Sequence, residues 1–548
     1  MMVVLRTLAL LMAMASLGGC VAPFPPELQA ENADRVEEVL ADAYEEVGQA
    51  YNGEVAVSEM ALAGLANLAS VEPSLALEQS GDTVTMSLGT ESVYRFDKPA
   101  GESAHEWAEA VSAALIAVHG RSERLRQIEP RRLYDSYMNG LTSALGGDSQ
   151  YFPSEEFYAY LYASIDGLVD LTYMPVAEGL RLVSLDRDSH LDAVGLKTND
   201  VITHIDGKAT AGRSRFEVYS LLRGPVDTKI VFNVLRDGKA LPSTIVVQRW
   251  LVEPRNFTFR RTRGVAVYDL PVLNEFAAFA LAKSLAVETK RTDARSQLPH
   301  GILLDLRGEP PVASNVVRTP SVALGPNRRD WSSLGSYIHA GFMAGPGGSP
   351  EAARGLVTAF MSDGVVVLQR GRQSGADTVI EAGGIDPSDQ LPLVVVVDSF
   401  TIGGAEIAAA ALQDSGRALV IGAGTAGSGT IRRNVSLNNL GIVNLPWAFA
   451  HAPSGYGIEG RGVTPQICTS LPGGTLQGLL NTLRRGEGLI PDAQLTRVME
   501  PDDTVAIAEQ RALCPPAPDS GDLAYELGMA LLKEPELYAR LINQARRS

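Results

Sequence analysis

The chain has 548 residues, of which 45% are hydrophobic, so it has enough apolar material to fold and is too long for one compact core. We therefore expect several domains. Its formal net charge of -17 at pH 7 excludes nucleic acid and anionic lipid headgroups as principal partners, because both would repel so acidic a surface.

The N-terminus has the pattern of an export signal. Within residues 1–20, a single cation at Arg6 precedes an apolar run too short to span a bilayer. The ending LGGC at residues 17–20 resembles the lipobox of bacterial lipoproteins, in which the peptide is cut before a cysteine that is then acylated. The resemblance implies a lipoprotein signal peptide, lipidation of Cys20 and a membrane-anchored protein of the bacterial periplasm. The alternative is an ordinary secretory signal with an incidental cysteine.

Residues 28–150 alternate amphipathic helical patterns with short polar breaks, which predicts a helical N-terminal region. The segment from 165 to 255 is different, because its short apolar and alternating runs are typical of strands. Asp237-Gly238 predicts a hairpin turn, and one helix is expected near Arg215 to Leu222. The predicted strands of this β domain lie at 179–185, 200–207, 229–239 and 243–249.

Two sequence stretches of the β domain, AVGLKTNDVITHIDGKAT and LLRGPVDTKIVFNVLRDGK, resemble those of a PDZ domain. PDZ domains bind an extended C-terminal peptide as an added strand and hold its carboxylate with backbone amides. The resemblance places the carboxylate loop near 165–168, with Gly167 and Leu168 as candidate peptide-binding residues. The alternative is a purely structural or lid-like module.

Residues 262–467 are predicted to form an α/β core, because strand-like runs alternate with helical stretches. The continuous apolar run from Leu393 to Val397 suits a strand that is buried on both faces. The predicted strands are 265–270, 301–307, 365–369, 391–398 and 418–422. Residues 468–548 return to helical patterns. The fold class predicted for the whole chain is therefore a multidomain α+β protein.

Two cysteines remain after Cys20, namely Cys468 and Cys514. An even pair in an oxidising compartment predicts a disulfide between them. The alternative is two unrelated buried thiols.

The order of these parts and four motifs resemble the carboxyl-terminal processing (tail-specific) serine protease family over residues 130–467. The motifs are SALGGDSQYFPSEEF, GILLDLRG, DQLPLVVVVDSFTIGGAEIAAAALQDSGRALVIG and APSGYGIEGRGVTPQI. The resemblance implies a protease core in which a serine attacks the peptide, a lysine takes its proton and a glutamine orients the lysine.

The family's reactive positions hold other residues in this chain. With Glu406 fixing the register, the positions are the nucleophile position Gly403, the base position Ser428, the orienting position Arg432 and the retained aspartate Asp414. Glycine has no side-chain atom that can attack, and neither a hydroxyl nor a guanidinium accepts a proton near neutral pH. The chain has no lysine between Lys290 and Lys533, so a small shift of register does not restore the base.

The oxyanion site also departs from the family pattern. The family follows its Asp-Leu-Arg strand with a Pro-Gly-Gly turn, whereas residues 309–311 here read EPP, and proline has no amide hydrogen to donate. A Pro-Gly-Gly turn with Gly347 and Gly348 as oxyanion candidates follows only after an insertion at about 309–344. The insertion is either a cap on the cleft or a partner-binding element.

Two hypotheses about function follow. The first is a pseudoprotease that binds C-terminal peptide tails or unfolded periplasmic proteins without cleaving them. The second is an active serine-type endopeptidase with relocated residues, in which Thr401, Thr425 or Ser428 attacks and His339 or His451 is the base; turn, cap and solvated roles are the alternatives for these side chains. No zinc-ligand spacing, phosphate-binding glycine loop or nucleotide fingerprint is present, so no cofactor or metal is expected.

Overall fold

The computed structural model describes residues 32–146, 149–153, 169, 171–184, 190–213, 218, 221–225, 227–249, 257–271, 273–290, 298–308, 317–318, 349–437, 440–499, 503–517 and 522–545. The chain divides into two compact units, Met1–Phe157 with Arg432–Trp447 and Tyr158–Ile431 with Ala448–Ser548. The predicted fold class is confirmed, because helices and several separate sheets follow one another along the chain.

Helices form most of the first unit. They are α1 Ala33–Ala50, α2 Val57–Asn67, α3 Ala104–Arg121, α4 Glu123–Gln127 and α5 Pro130–Ser143. Their apolar residues recur every three or four positions, as in α1, which buries Val36, Leu40, Tyr44 and Val47. The buried faces of these helices join in one hydrophobic core.

A three-stranded antiparallel sheet interrupts these helices and corrects the prediction that 28–150 is helical. Its strands are β1 Leu75–Ser80, β2 Thr83–Leu88 and β3 Glu91–Asp97. Gly81 and Gly89, both with positive φ, lie between the strands. β2 alternates, with Val84 and Met86 buried, but its neighbours give a weaker signal, because β1 buries only Leu75 and β3 buries no residue.

The predicted β domain is present in the second unit. Its elements are β5 Thr172–Val176, β6 Gly179–Ser184, α6 His190–Ala193, β7 Val201–Ile205, β8 Lys208–Ala209, β9 Lys229–Arg236, β10 Lys239–Ala240 and β11 Ile245–Gln248. The strand order runs β10-β9-β7-β6-β5, with β11 also on β9 and β8 on β7. The hairpin predicted at Asp237-Gly238 joins β9 to β10 with positive φ at both residues. Of the helix expected near Arg215 to Leu222, the structure describes Val218, Leu221 and Leu222, all helical.

The α/β core of the second unit follows. Its elements are β12 Thr258–Thr262, β13 Val265–Asp269, α7 Glu275–Thr289, β14 Gly301–Asp305, β15 Val317–Arg318, α8 Pro350–Thr358, β16 Val365–Arg370, β17 Thr378–Glu381, β18 Leu393–Val397, α9 Gly404–Asp414, β19 Leu419–Gly422, β20 Thr430–Ser436, β21 Ile442–His451 and β22 Ile467–Cys468. Six of these strands form one sheet in the order β12-β13-β14-β18-β19-β22, parallel from β13 onward. β18 is buried along its whole length, as its apolar run predicts.

The strand predicted at 365–369 is present as β16, which lies outside the parallel sheet and pairs antiparallel with β17 and with the end of β21. One prediction about this core needs correction. Residues 432–447, predicted within the core at 262–467, belong to the first unit. There, β21 pairs with β4, Gln150–Phe152, and Val443 and Leu445 are buried in the same core as the helices.

Helices return after residue 468, as predicted. They are α10 Leu476–Arg484, α11 Asp492–Leu495, α12 Thr504–Leu513, α13 Leu523–Leu531 and α14 Pro535–Ala545. They share one hydrophobic core with the parallel sheet, and the hydroxyl of Tyr538 both donates to and accepts from the backbone of Leu393, at 3.0 Å each. Among the described residues, none of the helices has the length and apolar character needed to cross a membrane.

Candidate active site

The predicted nucleophile position lies where a buried strand turns into a buried helix. β18 ends at Val397, and α9 begins at Gly404 with an alanine-rich sequence that favours a helix. Side chains hold the turn between them: Thr401 Oγ1 accepts from the N–H of Asp398 at 3.0 Å and donates to the carbonyl of Leu306 at 2.9 Å. The turn is therefore tied to the end of the neighbouring strand β14, at the carboxyl edge of the parallel sheet, where open α/β sheets place their ligands.

Gly403 itself has a backbone conformation that a side chain would strain. Its φ is 56° and its ψ is -124°, a combination that glycine adopts freely and other residues adopt at a cost. A serine at this position would therefore need support from its surroundings. As glycine, the position offers only backbone atoms to its surroundings.

Glu406, in the first turn of α9, is the carboxylate on which this region converges. Its side chain is fully buried, with 0% of its surface exposed. One carboxylate oxygen accepts from the hydroxyl of Thr425 and from the N–H of Gly427 at 2.7 Å. The other accepts from the N–H of Gly403 at 3.0 Å and from the N–H of Ser428 at 2.7 Å. Burial raises the pKa of Glu406 to about 7, while these four hydrogen bonds lower it.

The structure brings Gly403 and Ser428 together through this carboxylate. Both amide nitrogens lie within 3.0 Å of the same oxygen of Glu406, although the residues belong to different loops. A second contact joins the loops directly, since the N–H of Ala426 donates to the carbonyl of Thr401 at 3.2 Å. The two predicted reactive positions therefore share one site, and neither carries a nucleophile paired with a base.

The loop that carries Ser428 is held by its surroundings. There is no room for a side chain at Gly427, because a Cβ there would lie 2.9 Å from the carbonyl carbon of Gly460. The guanidinium of Arg511, on α12, donates to the carbonyls of Ala426 and Gly460 at 3.3 and 3.0 Å. Ser428 itself is exposed, and the loop is thus a rigid support for an exposed hydroxyl.

Asp414, the retained aspartate, lies at the other end of α9. Since α9 runs from Gly404 to Asp414, about 16 Å of helix separates Asp414 from Gly403. The carboxylate accepts from the N–H of Ser454 at 2.9 Å, and burial raises its pKa. The structure does not bring Asp414 to the site formed around Glu406.

Arg432, the orienting position, belongs to the first compact unit. Its guanidinium donates to the side-chain oxygen of Asn444 and, at 3.3 Å, to the carbonyl of the same residue. Asn444 in turn donates to the side chain of Asn434 at 2.8 Å. Arg432 thus has a polar network within its own unit.

The residues proposed for relocated catalysis have structural roles in the described part of the chain. Thr401 and Thr425 are buried, and the hydroxyl of Thr425 donates to Glu406 while accepting from the N–H of Val463 at 2.7 Å. Burial lowers the pKa of His451, whose Nδ1 lies 3.3 Å from the carbonyl oxygen of Phe449. Among the described residues, His451 makes no hydrogen bond to either threonine or to Ser428. His339 lies outside the described residues.

Part of the predicted oxyanion and peptide sites cannot be placed, because Gly347, Gly348, Gly167 and Leu168 lie outside the described residues, as does Cys20. The described end of this region is tight: a Cβ on Gly308 would lie 2.2 Å from the carbonyl oxygen of Phe400. The loops after β14 and β18 therefore meet backbone to backbone.

Two further predictions concern cysteines and metals. The structure joins Cys468 and Cys514 in a disulfide, with Cα atoms 5.5 Å apart, a separation typical of disulfides. Within the described residues, no group of three or more His, Cys, Asp or Glu side chains could hold a metal ion.

Glu406 and Arg511 are the residues whose roles the sequence did not reveal. Glu406 served only to fix the register, although a carboxylate in the first turn of an otherwise apolar helix is a signal that it satisfies the N–H groups there. Arg511 gave no comparable signal, because its contacts are with residues far away in the chain.

Comparisons with known proteins match this region. Peptidase family S41 matches residues 344–469, which include Gly403 and Ser428. The chain is 25% identical over 350 residues to a carboxy-terminal-processing protease of Bartonella bacilliformis, a match covering 63% of this chain and 71% of that protein. It is 26% identical over 365 residues to the chloroplastic carboxyl-terminal-processing peptidase 1 of Arabidopsis thaliana, covering 62% and 63%. It is 23% identical over 357 residues to the carboxy-terminal processing protease CtpA of Bacillus subtilis, covering 64% and 67%.

A solved structure, the photosystem II D1 C-terminal processing protease, is similar at 18% identity and a TM-score of 0.41. That match covers 83% of this chain and 99% of the solved chain.

Proposed function

The chain belongs to the carboxy-terminal processing proteases of peptidase family S41, and we propose that it is a pseudoprotease that binds the C-terminal tails of other proteins without cleaving them. One observation carries this proposal. The amides of Gly403 and Ser428 donate to one oxygen of Glu406, so the two positions at which the family resemblance expects the serine and the lysine lie in one site, and neither residue supplies such a side chain.

The chemistry of acyl transfer supports the absence of cleavage. An attacking atom and a neutral base must face each other, and Gly403 supplies no side chain while Ser428 supplies a hydroxyl that does not accept protons near neutral pH. In a well-studied serine protease the loss of the nucleophile alone lowers the rate by about 10⁶-fold. Turnover by this chain should therefore be close to the uncatalysed background.

The contacts of the hydroxyls speak against relocated catalysis. A nucleophile needs a free path to the substrate, whereas Thr401 and Thr425 are buried and each holds two backbone or side-chain partners. Glu406 accepts a hydrogen bond from the Thr425 hydroxyl, but its other three hydrogen bonds come from amides that also hold the loops together. These contacts indicate that Glu406 has a structural role in holding the loops together.

Tail binding would take place in the β domain, which we propose to be a PDZ module. Support comes from its PDZ-like sequence motifs and from its sheet, in which β5 follows the predicted carboxylate loop in the chain. We also propose that acylation of Cys20 anchors the protein to a membrane facing the periplasm, on the strength of the export signal and the lipobox-like ending. An anchored binder would capture tails or unfolded proteins at that membrane.

The test is proteolysis by the purified mature protein. An unfolded substrate protein with a free apolar C-terminus is incubated with the wild type, with Ser428→Ala and with Thr425→Ser, and a serine-reactive probe is applied in parallel. We expect no cleavage above a mock purification and no labelling. Cleavage by the wild type that Ser428→Ala abolishes, or labelling of Thr401, Thr425 or Ser428, would establish an active peptidase instead. Cleavage that is equal in all preparations, mock included, would identify a host protease.

A further inference from the structure

A short strand from the inserted segment lies on the edge of the β domain. β15, Val317–Arg318, pairs antiparallel with β5, placing Val317 opposite Tyr173 and Arg318 opposite Thr172. On its other side β5 pairs with β6, so β15 extends the sheet order to β10-β9-β7-β6-β5-β15. Without β15, β5 would be the end strand of this sheet.

β5 has the features of an edge strand that accepts an added peptide. It contains Pro175, which has no N–H to donate and is tolerated in strands at sheet edges. It also begins at Thr172, four positions after Leu168 of the predicted carboxylate loop. A PDZ domain adds its ligand as a strand beside such a loop, with the C-terminus of the ligand at the loop.

The direction of β15 matches that of such a ligand. Arg318, the later residue of β15, lies opposite Thr172 at the start of β5, and Val317 lies opposite the next residue. The described strand therefore runs toward the start of β5, which is the end that follows residues 165–168 in the chain, as a bound tail would. It differs from a tail because the chain continues beyond Arg318 and offers no terminal carboxylate there.

We propose that Val317–Arg318 is an internal occupant of the tail-binding edge, and that a C-terminal tail binds by displacing it. The proposal rests on the tail binding proposed above and adds its regulation: the insertion keeps the edge covered until a tail with a free carboxylate competes for it. Two residue pairs make a short ladder, and each backbone hydrogen bond has a modest net effect, so its displacement should weaken tail binding by about tenfold. An internal strand of this strength prevents binding of low-affinity tails and is displaced by high-affinity tails.

The test removes the ladder without removing the insertion. Neighbouring residues of a strand point their N–H groups to opposite sides, so replacing both residues, Val317→Pro with Arg318→Pro, removes whichever amide donates to β5. The matched control, Val317→Ala with Arg318→Ala, changes both side chains and keeps both amides. Binding of a peptide with an apolar C-terminal residue and a free carboxylate is measured by calorimetry on the full mature chain.

We expect the proline variant to bind the peptide about tenfold more tightly than the wild type, and the alanine variant to bind like the wild type. Amide hydrogen exchange should rise in Thr172–Val176 of the proline variant and stay unchanged in β7 and β9. Equal affinity of wild type and proline variant would overturn internal occupancy and leave tail binding intact. Absence of binding by every variant would overturn tail binding itself, and competition at this edge with it.

Discussion

Replacing Glu406 by glutamine is expected to remove a pH dependence of stability from the core. Burial raises the pKa of Glu406 to about 7 in the folded protein, from an ordinary value of 4.5. Because the folded pKa is the higher one, the contribution of this group to the free energy of unfolding is fully present below pH 4.5 and is lost as the pH rises through about 7. The interval between the two values corresponds to about 3 kcal/mol.

Glutamine does not titrate, so the variant should lack this loss. At about pH 4 Glu406 is protonated and carries one O–H hydrogen, whereas the amide of glutamine carries two N–H hydrogens on one atom. The variant should be the less stable protein at this pH, because its NH₂ group faces two of the four donors from which Glu406 accepts and leaves them unsatisfied, at about 1–3 kcal/mol each. As the pH rises to about 8, the wild type loses its contribution and the difference in unfolding free energy should shrink by about 3 kcal/mol.

The assay is urea unfolding followed by circular dichroism at a series of pH values, with hydrogen exchange on α9 to assign the transition to the core. Glu381→Gln is the matched control, because Glu381 is exposed on β17 and its substitution should leave the pH dependence unchanged. If the stabilities of wild type and Glu406→Gln run parallel from about pH 4 to pH 8, the reasoning about burial of this carboxylate is refuted.

Three further predictions concern other parts of the chain. Gly403→Ser should give no peptidase activity, because the base is still absent, and should lower the unfolding free energy by about 1–3 kcal/mol through backbone strain; a stability equal to wild type would contradict the strain. Thiol titration of the unreduced, unfolded mature protein should find no free thiol at Cys468 or Cys514. Because the disulfide closes a loop over 46 positions, Cys514→Ser should lower the free energy of unfolding by about 4 kcal/mol. Mass spectrometry should find acylated Cys20 at the N-terminus. An amidated tail peptide should bind much more weakly than the same peptide with its carboxylate, and equal affinities in calorimetry would count against a PDZ-type site.

Much of the core could be predicted from the sequence because its signals are local. The parallel strands β13, β14, β18 and β19 are continuous apolar runs, and the hairpin at Asp237-Gly238 has a turn sequence that specifies its conformation. The same local reasoning missed the sheet β1 to β3, in which only β2 alternates clearly between buried and less buried residues and the two outer strands are largely exposed. The fold class could therefore be predicted from the hydrophobic pattern of the sequence, whereas the weakly buried strands could not.

The hydrophobic pattern of the sequence could not predict which distant segments pair or pack together. Residues 432–447 look like core strands, and only their packing with α1 to α5 assigns them to the first unit. The ladder between β15 and β5 joins segments from different predicted domains. In the site, the sequence pointed to Gly403 and Ser428 through the family resemblance, whereas the role of the carboxylate that accepts from both amides was recognised only from its four hydrogen bonds.

Glycine at position 403 has a consequence for the stability of the site. A serine at position 403 would hold a side chain at φ 56° and ψ -124°, at a cost of about 1–3 kcal/mol that an active enzyme must offset elsewhere. Glycine removes that strain, and the bonds from Gly403, Gly427 and Ser428 to Glu406 use backbone amides, which do not depend on either reactive side chain. Under the proposed function, the hydrogen bonds that hold the loops around Glu406 therefore persist without either reactive side chain. A site held by backbone amides in this way is compatible with a protein that binds a tail and does not cleave it.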